Sequence, residues 1–198
     1  MRASYHHGDL RNALLKAAEQ QLRDNGVEKL TLRSVAREAG VSHAAPAHHF
    51  GDMQGLLTAL AVTGFTRFLK SQQRKQNAAG NDPVERRVAA GLAYIEFSER
   101  NPQLFHLMFS SQQTNKADPA LQQASADAFN NLVMLVNAVN GIEDAQDTTH
   151  ITDVYATWAM VHGLSSLLSN GRLHGIKGGK KKKEAMLKEI LLKNLKNQ

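Results

Sequence analysis

Apolar residues recur along this chain at spacings of three and four, with polar residues filling the intervals. The pattern is clearest between Leu30 and Leu57. Leu32, Val35, Ala36 and Ala39 fall at i, i+3, i+4 and i+7, one face of a two-turn helix whose other face carries Arg33, Arg37 and Glu38. Thr31 is placed to cap its start, Gly40 supplies the positive φ of a sharp turn, and Val41 plugs the corner. Ser42 can then cap a second short helix from about His43 to His49. The stretch reads as a helix-turn-helix running into the start of a longer helix.

The same spacing predicts the remaining elements. Upstream, Leu10, Leu14, Ala18 and Leu22 line a first helix from about Gly8 to Asn25, stopped by Gly26 and packing on Leu32, Val35 and Phe50. Downstream, Asp52 can cap a long helix from about Met53 to Lys75, apolar at Leu56, Leu57, Leu60, Ala61, Phe65, Phe68 and Leu69. The segment NAAGN breaks the pattern near residue 78. Asp82-Pro83, Asn101-Pro102 and Asp118-Pro119 each pair an Asx cap with proline at the first helical position, predicting helices over about 83–100, 102–111 and 119–140. A further helix fits Thr148 to Asn170, apolar almost all round. The last fits about Lys182 to Leu195, with a stripe of Leu187, Ile190, Leu191 and Leu195. No stretch alternates with period two, so the fold class is all-α. The expected organisation is a three-helix domain over 1–52, a connecting helix over 53–77 and a helical body over 78–198.

Charge sharpens this division. The net charge of +6 is distributed as 11 Lys and Arg against 6 Asp and Glu over 1–77, 4 against 10 over 78–171, and 9 against 2 over 172–198. A basic N-terminal domain on an acidic body suits attraction to phosphate at one end. The second short helix is the candidate reader of a DNA groove, its solvent side presenting Ser42, His43, Pro46 and His48. Small Ala44 and Ala45 allow close approach. His6 and His7 could form an arm near the DNA backbone.

Composition narrows the alternatives. The chain's 198 residues, 42% of them hydrophobic, can bury a sizeable core, and the absence of cysteine fits a reducing cytoplasm. No apolar run is long enough to span a bilayer, and MRASYHHGDLR lacks the apolar core of a signal peptide, so a cytoplasmic location is expected. Nine histidines invite a metal hypothesis, but none forms an i, i+4 pair or an H-E-x-x-H motif. There is no G-x-S-x-G, phosphate loop or dinucleotide glycine pattern either. The expectation is a protein that is not an enzyme and has no metal or cofactor.

The segment from Tyr5 to Leu60, YHHGDLRNALLKAAEQQLRDNGVEKLTLRSVAREAGVSHAAPAHHFGDMQGLLTAL, resembles the DNA-binding domain of the TetR/AcrR family of transcriptional regulators. NPQLFHLMF and TWAMVHGLSSLLSNGRL resemble the ligand domain of a subgroup that carries a Trp followed by His-Gly on its penultimate helix. The resemblance implies a homodimer that binds a double-stranded DNA operator and responds to an apolar small molecule. It implies DNA contacts at Thr31, Arg33, His43, His48 and His49, which join Ser42, Ala44 and Pro46 of the outward side, and Ala47 at a contact position of the family, as the candidate DNA-binding residues. It also makes residues 78–198 a ligand-binding and dimerisation domain. Two positions depart from the family pattern. Ala47 stands where a Tyr usually touches the DNA backbone, and Met53 where a Lys usually opens the fourth helix.

The aromatic and Met residues Phe97, Phe105, Met108, Phe109, Phe129, Met134 and Trp158, with His162, could fill a core or line the effector cavity that the resemblance implies. The two C-terminal helices, meeting their symmetry mates, would make a four-helix dimer interface and place two readers on a palindromic operator. The expected function is a ligand-released repressor without a membrane partner. The alternative is a peripheral membrane or protein-interaction module that uses the lysine run Lys180–Lys183 and the amphipathic last helix.

Overall fold

In a computed structural model, which describes residues 7–144, 147–173 and 179–195, all regular structure among the described residues is helical. The helices are α1 (His7–Asn25), α2 (Leu32–Glu38), α3 (Ala45–Phe50), α4 (Met53–Ala78), α5 (Pro83–Arg100), α6 (Pro102–Phe109), α7 (Pro119–Val139), α8 (Ile151–Ser169) and α9 (Lys180–Leu195), with a 3-10 turn over Val27–Lys29. His6 lies outside the described residues. So do the side chains of His7 and Leu195 and most of the connection before α9.

Caps explain most boundaries. Asp52 Oδ1 accepts the Gly55 N–H at 2.8 Å, Asp82 Oδ1 that of Glu85 at 2.9 Å, and Asp118 Oδ1 that of Leu121 at 2.9 Å. Asn101 differs from this expectation, for α6 starts at Pro102 without a side-chain cap. The body helix expected from Thr148 starts at Ile151 instead, because Asp147 Oδ1 takes the Thr149 N–H at 2.7 Å and turns the chain there. The helix expected to end near Lys75 continues to Ala78, and the turn falls at Gly80.

The chain forms two compact units. The first takes in the chain up to Phe65 together with Asn101–Ser125, the second Thr66–Arg100 together with Ala126 onward. Compactness thus groups α6 with the helix-turn-helix, a partition different from that expected at residues 52 and 78. In the first unit Leu14, Ala18 and Leu22 of α1, Val35 and Ala36 of α2, and Leu56, Leu57 and Leu60 of α4 are all but fully buried. Each is worth roughly 1.5–3 kcal/mol as a fully buried large side chain, the alanines less.

In the second unit α5 packs on α8 and α9. The α9 stripe is occupied inside the chain, with Leu187 and Leu191 buried and the Leu191 methyl groups 3.0 and 3.1 Å from where a Cβ on Gly91 of α5 would stand. Lys188 Nζ meets Glu85 at 2.8 Å, and Lys183 pairs with Glu99. Leu187 and Leu191, expected to face a symmetry mate or a membrane, are thus covered within the chain, while Ile190 is half-buried; hydrophobic periodicity marks a helix face as buried and does not say by what.

The first turn of α4 sits directly over the end of α3. A Cβ on Gly55 would lie 2.0 Å from the Phe50 carbonyl oxygen, a backbone atom that cannot rotate aside. Gly55→Ala is therefore expected to cost about 2 kcal/mol or more, as overpacking against fixed atoms does. Thermal melts would check it: an unchanged melting temperature would show that α4 can lift off α3 freely.

Candidate nucleic-acid interface

The candidate reader is built from a supported α2 and a short α3. Thr31 Oγ1 accepts the Ser34 N–H at 3.0 Å while Ser34 Oγ accepts the Thr31 N–H at 3.1 Å, a reciprocal cap. Gln21 of α1 ties to the same turn, its Nε2–H donating to Ser34 O at 2.8 Å and its Oε1 accepting from Ser34 Oγ at 2.6 Å. Past α2, Gly40 takes φ +66°, the Val41 N–H returns to Ala36 O at 3.0 Å, and the Gly40 N–H to Arg37 O at 3.2 Å. This double bond pattern closes the helix and turns the chain toward α3.

The structure places most of the expected contact residues outward. Thr31, Arg33, Ser42, His43, Ala44, Ala47 and His48 are exposed, and His49 is half-buried. Ala44, Ala47 and His48 sit at i, i+3 and i+4, one outer stripe of α3 and its cap position. Pro46 departs from the expectation. It is buried, facing the domain interior, because the helix starts at Ala45, which leaves His43 outside it, and Pro46 lies about 200° round the helix from the outward Ala44 and His48. Ser42 does not cap with its side chain. Its carbonyl instead accepts the Ala45 N–H at 3.0 Å, and Ala44 occupies the cap position. The missing N–H of Pro46 falls in the first turn, where no intrahelical partner awaits it.

Ring contacts run along α3 and on to α1. His48 and His49 rings meet edge-on at 5.5 Å, His49 lies 6.3 Å from the Phe50 ring, and the Arg11 guanidinium of α1 stands 5.2 Å over that ring. Arg11 on Phe50 is a cation–π contact worth on the order of 0.5–1 kcal/mol when exposed. Nothing in the periodicity of the chain marked it.

The residues expected to line an effector cavity divide between the two units. Phe105, Met108 and Phe109 belong to the first, where Phe109 meets Phe65 edge-on at 5.2 Å and Phe105 at 4.7 Å. Phe97, Phe129, Met134, Trp158 and His162 belong to the second. Met134 points outward at 37% exposure and is no core residue. In the second unit Phe68 meets Tyr94 at 5.0 Å and Phe97 at 5.3 Å, and Phe129 meets Trp158 at 6.0 Å.

A polar group that periodicity did not single out sits among these rings. Tyr94 Oη and His162 Nδ1 share a hydrogen bond at 2.7 Å, and the Trp158 Nε1–H donates to the same phenol oxygen at 3.4 Å. Burial pushes the Tyr94 phenol well above its usual range, with the Trp158 hydrogen bond opposing, and burial lowers the His162 imidazole. Both groups are therefore held neutral. Nearby on α5 and α8, the buried Arg87 donates from Nη2 to Thr157 Oγ1 at 2.7 Å. Burial brings its guanidinium down to about 10, partly offset by the charge of Asp153, so it stays charged at neutral pH. On α4, buried Gln72 donates to Ala90 O at 3.4 Å, and buried Gln76 donates to Asn131 Oδ1 of α7 at 3.3 Å. The sequence held one signal for the Tyr94 group: Trp158 and His162 are four residues apart and so share a helix face. Their partner, within GLAYIEF, looks like any other core residue.

Comparison with known proteins gives the chain a family. The family described as "Tetracyclin repressor-like, C-terminal domain" matches residues 88–191, and "Bacterial regulatory proteins, tetR family" matches residues 14–60. The HTH-type transcriptional regulator BetI of Stenotrophomonas maltophilia (strain R551-3) is 38% identical over 74 residues, which span 37% of this chain and 37% of that protein. A solved structure of a protein with unknown function from Rhodococcus sp. RHA1 is 31% identical, covering 99% of this chain and 96% of that one with a TM-score of 0.79. The TetR family transcriptional regulator PfmR from Thermus thermophilus shares the fold at 17% identity, covering 92% of this chain and 97% of that one with a TM-score of 0.62. The chain belongs to the tetR family of bacterial regulatory proteins, which are DNA-binding transcriptional regulators rather than enzymes.

Proposed function

We propose that the protein is a dimeric, ligand-responsive repressor that holds a palindromic operator and is released from it by an apolar small molecule in the cytoplasm. The observation that carries the DNA reading is the outward stripe of Ala44, Ala47 and His48, flanked by exposed Arg33 and His43 on a domain with a tightly tied α2. Small residues on that stripe let the backbone approach a groove floor, while Arg33 and the histidines supply donors.

The effector reading rests on the second unit and on its Trp158…His162-Gly163 signature, which also supports the subgroup assignment. Phe68, Phe97 and Phe129 surround the neutral Tyr94–His162–Trp158 group, an apolar setting with a few convergent polar atoms, as small-molecule sites are built. Because α4 begins beside the reader and ends in the second unit, a ligand that prefers one position of α4 shifts the reader's equilibrium by its differential affinity alone.

The dimer reading rests on α8. Tyr155 is 53% exposed and Leu167 41%, and with exposed Ala156 and Ala159 they lie on one side of the helix, opposite buried Val154, Thr157, Val161 and Ser165. A face of small and apolar residues suits close packing on its own symmetry copy.

Fluorescence anisotropy against DNA from beside the protein's own gene, with unrelated DNA as competitor, tests the central reading. Binding no tighter than to the competitor would sink it. Arg33→Ala should weaken binding to all sequences and flatten the salt dependence by about 0.9 in log–log slope if it touches one phosphate, whereas His43→Ala should shift sequence preference. Identical effects of both on every sequence would refute that division. Leu167→Glu should yield monomers by sedimentation and weaken operator binding.

The lowered His162 sets a pH dependence. Its folded form resists protonation more than its unfolded form, so its contribution to stability is complete above the ordinary imidazole value of about 6.5 and is lost as pH falls below it. His162→Gln should flatten the fall in melting temperature on the acid side. An unchanged acid limb would assign the loss to other groups.

A further inference from the structure

The reading helix α3 contains neither lysine nor arginine: within APAHHF its only titratable side chains are His48 and His49. Their rings lie edge-on at 5.5 Å, His48 exposed and His49 half-buried against Phe50. Among the described residues neither imidazole is paired with a carboxylate. Ala47, one residue earlier, offers no polar atom, and Met53 at the start of α4 offers no charge. Imidazole is therefore the one cationic group that α3 itself can offer to a phosphate. Resting on the DNA-binding reading above, we propose that His48 and His49 hold a DNA phosphate in protonated form, so that forming the complex takes up protons and acidification tightens it.

Imidazole is the side chain whose charge changes between about pH 5 and 8. Two rings this close repel each other when both are charged. The elements packed around α3 carry balanced charge: Arg11, Lys16 and Arg23 with Asp9, Glu19 and Asp24 on α1, Arg33 and Arg37 with Glu38 on α2, and Asp52 ahead of α4. A phosphate placed against the rings favours their charged form, as an adjacent anion does for any imidazole. The complex then binds more protons than its separated parts, and by linkage the affinity rises as pH falls. A lysine at either position would grip phosphate equally across this pH range, and the dependence would vanish.

The two quantities to measure are the pH slope and the salt slope. Anisotropy of the full-length protein on a fluorescein-labelled duplex of mixed sequence suffices, because phosphate contacts do not depend on sequence. Lowering the pH from about 8 to about 6 should raise affinity, by up to about tenfold per pH unit for each proton taken up by a reader, and should steepen the log–log salt slope by about 0.9 per phosphate newly held. The double variant His48→Gln, His49→Gln should lose both effects. His48→Gln alone, at an exposed position that leaves packing intact, should lose part of them. Arg33→Ala should lower affinity at both pH values and keep the pH dependence. Equal wild-type affinity at both pH values, with DNA binding intact, would overturn the proposal, as would a pH dependence that survives in the double variant. Failure to bind any duplex at either pH would defeat the DNA-binding reading itself, and this one with it.

Discussion

A missing methyl group and a backbone carbonyl set the geometry of the DNA-facing unit. Gly55 lets the first turn of α4 settle on the Phe50 oxygen at a distance no side-chain-bearing residue could reach, while Asp52 caps that same turn. The six-residue α3 is too short to be stable alone. It holds its orientation because α4 presses on its end, buried Pro46 plugs its inner side, and Arg11 covers Phe50. From that contact follows which face of α3 is outward. The stripe of Ala44, Ala47 and His48 is a consequence of how its C-terminal end is pinned.

The second unit solves a different problem, that of burying polar groups. Gln72, Gln76, Arg87, Asn131 and Thr157 are all buried, and every additional buried polar atom must find a partner or cost stability. The partners come from neighbouring helices: Gln72 to α5, Gln76 to α7, Arg87 to α8, and Tyr94 to α8 through His162 and Trp158. Such cross-links specify helix register more sharply than apolar contacts do, since a hydrogen bond tolerates little displacement. They also leave the aromatic residues around Tyr94 with polar atoms held at defined points.

Charge divides the two faces of α9. Leu191 turns to Gly91 of α5, and the lysines of α9 reach Glu85 and Glu99 along α5. Exposed pairs of this kind add no more than about 1 kcal/mol each, so the leucines carry the docking and the ion pairs set its register.

Local chemistry written in consecutive residues was legible from the sequence alone: the all-helical class, the capping of α2 by Thr31, the glycine turn at Gly40, and the Asx-Pro starts of α5 and α7. These depend on hydrogen bonds and dihedral preferences that reach only three or four residues along the chain, so the letters suffice. The motifs quoted from the two ends of the chain likewise pointed to the regulator family. What only the tertiary structure decided is what each buried face is buried against. The stripe of Leu187 and Leu191 reads the same whether its cover is α5, a second chain or a membrane, and Pro46 reads as outward until the fold buries it. The Gln76–Asn131 and Tyr94–His162 pairs lie 55 and 68 residues apart in the chain. No local propensity spans such a separation. Partners of that kind are chosen by packing, which minimises exposed apolar area and unpaired polar atoms over the whole unit at once.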